Sequence, residues 1–154
     1  MKKSKLFCGI LVISFFAACN NQPGKTAADN NEKIADSLFK EVMHGHDIGM
    51  AKSMAIEKAI GITQKAIDSL NSLSATAKQN AAPYKQQLDS LLKDLNYASF
   101  SMDKWMGEMN WEPSKIEINE RIKYLTAEKL KVEKVKEAIL GSLAKADSLL
   151  KAKL

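Results

Sequence analysis

The chain has 154 residues, 45% of them hydrophobic and 27% charged, with a formal net charge of +5. That length supports one core but not two. The charge excess is concentrated at the start, where Lys2, Lys3 and Lys5 face no acid within the first eighteen residues; without them 20 basic side chains stand against 18 acidic ones. Nothing in that balance makes a basic stripe with interleaved aromatics, so nucleic acid is not an expected partner. Two cysteines, Cys8 and Cys19, are too few for a disulfide framework or a cysteine metal site. No glycine-rich phosphate loop and no His-Glu-x-x-His segment occurs.

Residues 1–18 read as a secretory signal: a basic start, an apolar run from Leu6 to Phe16, then Ala17-Ala18. The run is shorter than the roughly 20 apolar residues that span a bilayer. Phe16-Ala17-Ala18-Cys19 resembles a bacterial lipobox, with Phe16 where Leu is usual. The resemblance implies cleavage before Cys19, which then carries a diacylglycerol thioether and an acylated amine. Each buried acyl CH₂ contributes about 0.8 kcal/mol, so the lipid bilayer becomes a partner through the Cys19 acyl chains. Cys8 leaves with the signal. Asn20 follows the cysteine instead of Asp, which by the same resemblance favours the outer membrane; no early acidic cluster follows Cys19, which favours a domain facing the periplasm over the cell surface.

Residues 19–30, polar and carrying Pro23 and Gly24, read as the lipidated cysteine and a flexible tether. Residues 31–152 then read as one all-α domain, because Ala, Lys, Leu, Glu and Ser dominate and strand-type alternation is missing. A first helix is expected from about Asn30 to Leu73, with an apolar stripe of Ile34, Leu38, Val42, Gly45, Gly49, Ile56, Ile60, Ile67 and Leu70. A break near Gly45–Gly49 is the alternative, since each interior glycine costs about 1 kcal/mol relative to Ala. Ser74 to Asn80 reads as a connection and Pro83 as a first-turn residue of the second helix. That helix has an unbroken four-three seam of Tyr84, Leu88, Leu91, Leu95, Ala98, Met102, Trp105 and Met109, and Pro113 lies beyond its end. A third helix is expected from Ser114, with Ser114 and Glu117 at capping-box spacing. Its stripe is Ile118, Ile122, Leu125, Val132, Val135, Ile139, Leu143, Ala146 and Leu150, while Glu128, Glu133, Glu137 and the neighbouring lysines read as a solvated face. Short connections between three long, coiled-coil-like helices give an antiparallel up-down-up bundle.

Two stretches stand out. Apart from Met1, residues 43–54 and 102–111 hold every Met, both His and both Trp. Folding the second helix back about residue 77 brings them to one level, with Ile116–Ile122 of the third helix expected there too. At about 100° per residue, Met43, Asp47, Met50 and Met54 share a face, with His46 beside it and His44 elsewhere. Three readings compete for His46, Asp47, Met50, Met54, Met102, Trp105, Met106 and Met109. The first is a packed layer in which Met fills gaps around Trp105, admitted by Gly45 and Gly49, with His46 paired to Asp47 or Glu108. The second is an adaptable surface for a protein partner. The third is a soft-metal site: thioethers and imidazole select Cu(I) or Ag(I), with ligands from His46, Met50, Met54, Met102, Met106 and Met109. Catalysis is not expected, because Ser53 and Ser101 have no elbow or oxyanion loop, and His46 and Asp47 diverge by about 100° on a helix.

The pattern Glu41-Val42-Met43-x-x-His46-Asp47-x-x-Met50, then Met102-x-x-Trp105-Met106, then Tyr124-Leu125-x-x-Glu128-Lys129 resembles a family of small helical lipoproteins of Bacteroidetes, often labelled "viral A-type inclusion protein". It spans about Glu41 to Leu150. The family's second Met follows the first after two residues, whereas here Ser53 intervenes before Met54. The resemblance implies a helical lipoprotein and no particular activity. The expectation is an envelope-anchored helical lipoprotein with a structural or protein-interaction role, alone or as a homodimer, and without a cofactor. Cu(I) or Ag(I) binding or sensing is the alternative.

Overall fold

The computed structural model describes residues 23–151, and side chains from Ala27. Four helices make three rods: α1 (Pro23–Met50) and α2 (Ser53–Asn71) form the first, α3 (Ala75–Glu108) the second, and α4 (Ile118–Lys151) the third. Together they form an all-α up-down-up bundle. No described helix is long and apolar enough to cross a membrane. The signal, Cys19 and the first residues of the tether lie outside the described residues; Pro23 onward is helical.

The first rod is not one helix. Its break falls at Ala51–Lys52, just past the two glycines. The Lys52 amide donates to Gly49 O at 2.9 Å, one residue short of the α-helical partner. The Ser53 hydroxyl donates to Met50 O at 2.9 Å and so satisfies a carbonyl at the break. This kink redirects the chain: α1 packs chiefly on α4, while α2 packs chiefly on α3.

The second helix begins two turns earlier than expected. Ala75 opens it, the connection is only Ser72–Ser74, and Pro83 sits inside the helix. The alanine-rich approach has enough helix propensity to extend α3 ahead of the proline. At the far end the four-three seam is buried from Leu88 through Met109. The third helix begins four residues later than expected, at Ile118, after a 3₁₀ turn over Pro113–Lys115. Ser114 does not cap it. The Glu117 carboxylate does, accepting the amide of Asn119 at 3.0 Å and that of Glu120 at 3.3 Å.

Two expected stripes are also amended. In α1, Ala35 is buried and Ile34 is exposed. In α4 the buried seam runs Arg121, Leu125, Glu128, Val132, Val135, Ile139, Ser142, Ala146, an unbroken four-three repeat that admits charged residues. Glu128 therefore leaves the solvated face assigned to it.

Candidate functional site: the Met–His–Trp layer

The layer begins with two helix-side coincidences. Met102 and Trp105 on α3, and Met109 just past its end, occupy successive seam positions and are buried. On α1, Gly45 and Gly49 are the buried small residues that let neighbours close in. They do not admit Trp105 as expected. A methyl at Gly45 would stand 3.0 Å from a Val132 methyl of α4, and one at Gly49 would meet the Met102 Cε at 2.2 Å. The kink places α1 against α4, so valine and methionine, not the indole, take that space.

Trp105 turns instead toward α4. Its indole Nε1 donates to Glu128 Oε2 at 2.9 Å. Glu128 is 3% exposed, and its other oxygen accepts from Lys131 Nζ at 2.7 Å. A carboxylate removed from water is costly unless each lone pair finds a donor. Here Trp105 supplies one from the core and Lys131 supplies one from the rim. The Glu128 hydrogen bond holds the Lys131 ammonium pKa above its ordinary value.

The loop after α3 closes over this pair. The Tyr124 hydroxyl accepts the Asn110 amide at 2.7 Å and donates to Met109 Sδ at 3.2 Å. Burial pushes the tyrosine pKa up, against the opposing effect of the Asn110 hydrogen bond. The Trp111 indole donates to Met106 O at 3.2 Å, satisfying a carbonyl in the last turn of α3. Three rings then meet: His46 to Trp105 at 5.8 Å, His46 to Trp111 at 5.8 Å edge-on, and Trp105 to Trp111 at 6.0 Å edge-on. Edge-to-face contacts at these distances are favourable.

The eight residues expected in one layer thus divide. Trp105, Met102 and Met109 are core, Met106 is partly buried against it, and His46 lines the edge. His46 Nδ1 lies 2.9 Å from Asp47 Oδ1, so the two side chains meet although their positions diverge on the helix. His44 is exposed. Met50 and Met54 stand apart: Met54, in the first turn past the kink, is 84% exposed, and Met50 is at the surface beside Ser53. Met50, but not Met54, lines a cleft of about 200 Å³, with Ile56, Met102 and Ile139 and the acidic Glu57 and Asp103 among its walls.

This geometry suits packing better than a common ligand. Met102, within α3, and Met109, the residue that ends it, both belong to the buried core. Met109 sulfur is engaged by Tyr124. The level reached on α4 is Tyr124 to Ile139, where Gly45, Gly49, Trp105 and Met109 find their partners, and not Ile116–Ile122. The first turns of α4 run beside the start of α1 instead, where Arg121 pairs with Glu32. Sequence reasoning missed Glu128, Tyr124 and Trp111. For Glu128 the signal was present, because the seven-residue step from Leu125 to Val132 needs a seam residue between them. Comparison with family models, with curated proteins and with solved structures finds no match.

Proposed function

We propose that the protein is a lipid-anchored helical module of the bacterial envelope that acts by contacting another protein. Cys19 in its lipobox-like setting supplies the anchor, most consistent with the outer membrane and a domain facing the periplasm. The resemblance to small helical lipoproteins of Bacteroidetes fits the same reading.

The observation that carries the contact role is the pair Met50 and Met54 at the kink. Folding buries neither: Met50 borders a cleft whose walls include Ile56, Met102 and Ile139 as well as Glu57 and Asp103, and Met54, four residues on, is exposed at the surface. A flexible thioether at the rim of the cleft and a second one exposed beside it suit an apolar knob from a partner helix or loop, because methionine adapts its shape at small cost. An exposed, largely apolar side chain serving no fold purpose is the kind of feature that marks an interaction surface.

The test is site-specific photocrosslinking in cells from a photoreactive residue at Met54, with Lys58 on the same helix as the control position. A discrete crosslinked protein from Met54 and none from Lys58 supports the reading. No adduct from Met54, in a protein that still partitions with membranes, contradicts it. Replacing Cys19 with Ser tests the anchor separately: release of the chain from the membrane fraction is expected, and unchanged partitioning opposes lipidation.

A further inference from the structure

The antiparallel helices α3 and α4 are registered by Asp94 against Lys145 at one level and Trp105 against Glu128 at another. Between those levels their outer flanks leave a hollow of about 340 Å³, with Lys93 and Tyr97 on the α3 side and Glu137, Ala138 and Gly141 on the α4 side. A methyl group added at Gly141 would meet nothing within 4 Å, so the glycine leaves the α4 side open. Apart from Met54, the most exposed large hydrophobic side chains among the described residues are Tyr97, Phe100 and Leu130, at 61–63% exposure. Phe100 stands one turn on from Tyr97, about 60° round α3, and Leu130 shares a stripe about 40° wide with Glu137 and Gly141 on α4. An apolar area that folding leaves open marks an interaction surface.

The charges on this flank are complementary to one another. Asp94 pairs with Lys145 and Glu133 with Lys136. Lys93 and Glu137, on opposite sides of the hollow, make no ion pair among the described residues. Lys134 is also exposed, but the antiparallel register carries it further from the level of Lys93 than Glu137 is.

We propose that two copies of the chain pair through this flank, about a twofold axis running along the α3–α4 groove. Such an axis sets α3 of each copy against α4 of the other. Tyr97 then enters the hollow over the partner's Gly141, and Lys93 lies toward the partner's Glu137, each contact occurring twice. What selects a second copy is that one flank carries both a knob and a hollow, and both an unpaired cation and an unpaired anion. A twofold interface requires that self-complementarity, and aromatic side chains are the type enriched at such contacts. The flank lies about 120° round α3 from Asp103 of the Met50 cleft, and neither reading depends on the other.

Two differently tagged full chains are co-expressed, solubilised in mild detergent and isolated through one tag, with recovery of the other as the readout. Parent copies are expected to co-isolate. With Lys93→Glu in both copies, or Glu137→Lys in both, like charges meet across the axis, and recovery is expected to fall at least about tenfold. With Lys93→Glu in one copy and Glu137→Lys in the other, opposite charges meet again at both contacts, and recovery is expected to return. Tyr97→Ala in both copies, at an exposed position that the fold does not use, is expected to lower recovery by a similar factor. The proposal is overturned if parent copies do not co-isolate, even where a different protein is recovered instead. It is equally overturned if the charge variants and Tyr97→Ala co-isolate like the parent, which would place the pairing on another surface, or if the mixed charge pair recovers no more than either variant with itself.

Discussion

Beyond the kink at Ala51–Lys52, the core is built from Ile56, Ile67, Leu88, Leu91, Leu95 and Ala146. The two polar side chains buried there, Thr63 and Ser142, give their hydroxyls to Ala59 O and Ile139 O of their own helices. Before the kink the core holds Trp105, Glu128, Tyr124 and Arg121, and each reaches across to a residue of another element. Both halves follow the same four-three repeat, yet they are held differently. The aliphatic half has non-directional contacts that do not distinguish one helical register from the next. The polar half has bonds that form in one register only. The lesson is that the seam makes a bundle, while Glu128 and Tyr124 fix how α3, its following loop and α4 are aligned.

That contrast can be broken most forcefully at the indole. Trp105→Ala removes a buried ring and strands Glu128, and is expected to cost about 3–5 kcal/mol in denaturant unfolding. Glu128→Ala keeps the ring but leaves its N–H without an acceptor. A loss of about 1–3 kcal/mol is expected, and Glu128→Gln, which retains an acceptor, should recover part of it. If Glu128→Ala cost nothing, the polar half would be no more specific than the aliphatic one. A smaller contrast is available from glycines on either side of the kink. Gly61, with open space around its missing methyl, is expected to gain about 0.5–1 kcal/mol on Gly61→Ala. Gly49→Val, pressed against Met102 and Ile139, is expected to lose about 1–3 kcal/mol. The thermal midpoints of the two variants should move in opposite directions.

The smallest effect is a dependence on pH confined to the polar half. Tyr124 and Lys131 both hold their protons more tightly in the folded protein than at their ordinary values of 10.0 and 10.5. A raised folded pKa gives stability that is complete below the ordinary value and is lost as pH climbs through the raised one. The midpoint of unfolding is therefore expected to hold with respect to these groups up to about pH 10 and to fall above it. Tyr124→Phe should remove the tyrosine's share of that fall; an unchanged alkaline limb in this variant would contradict its role.

Much of this was legible from spacing alone. The seam from Leu88 to Met109 is buried at every expected position, and folding about residue 77 brings the two unusual stretches to one level, where His46 meets Trp105. Helix ends were less legible. Ser114 and Glu117 have the spacing of a capping box, but the 3₁₀ turn puts Glu117 itself at the cap. Pro83 was placed at a helix start because proline fits there, yet the preceding Ala-rich residues carry the helix on through it. The kink depends on a hydroxyl at Ser53 reaching a carbonyl, which hydrophobic periodicity does not register. Glu128 was hidden by composition: lysine and glutamate surround it, and charge argued for solvent while the heptad argued for the seam. The heptad prevailed because Trp105 and Lys131 together supply the donors that a buried carboxylate needs.

The most direct test of this account is whether the methionines of the layer are committed to packing. Cu(I) is titrated anaerobically into the full chain against a competing chelator, with tryptophan fluorescence as the readout. The account predicts no stoichiometric binding and a helical fold retained in Met102→Leu and Met106→Leu. Stoichiometric binding tighter than about micromolar, lost in those same variants while they remain folded, would contradict it and make the layer a soft-metal site.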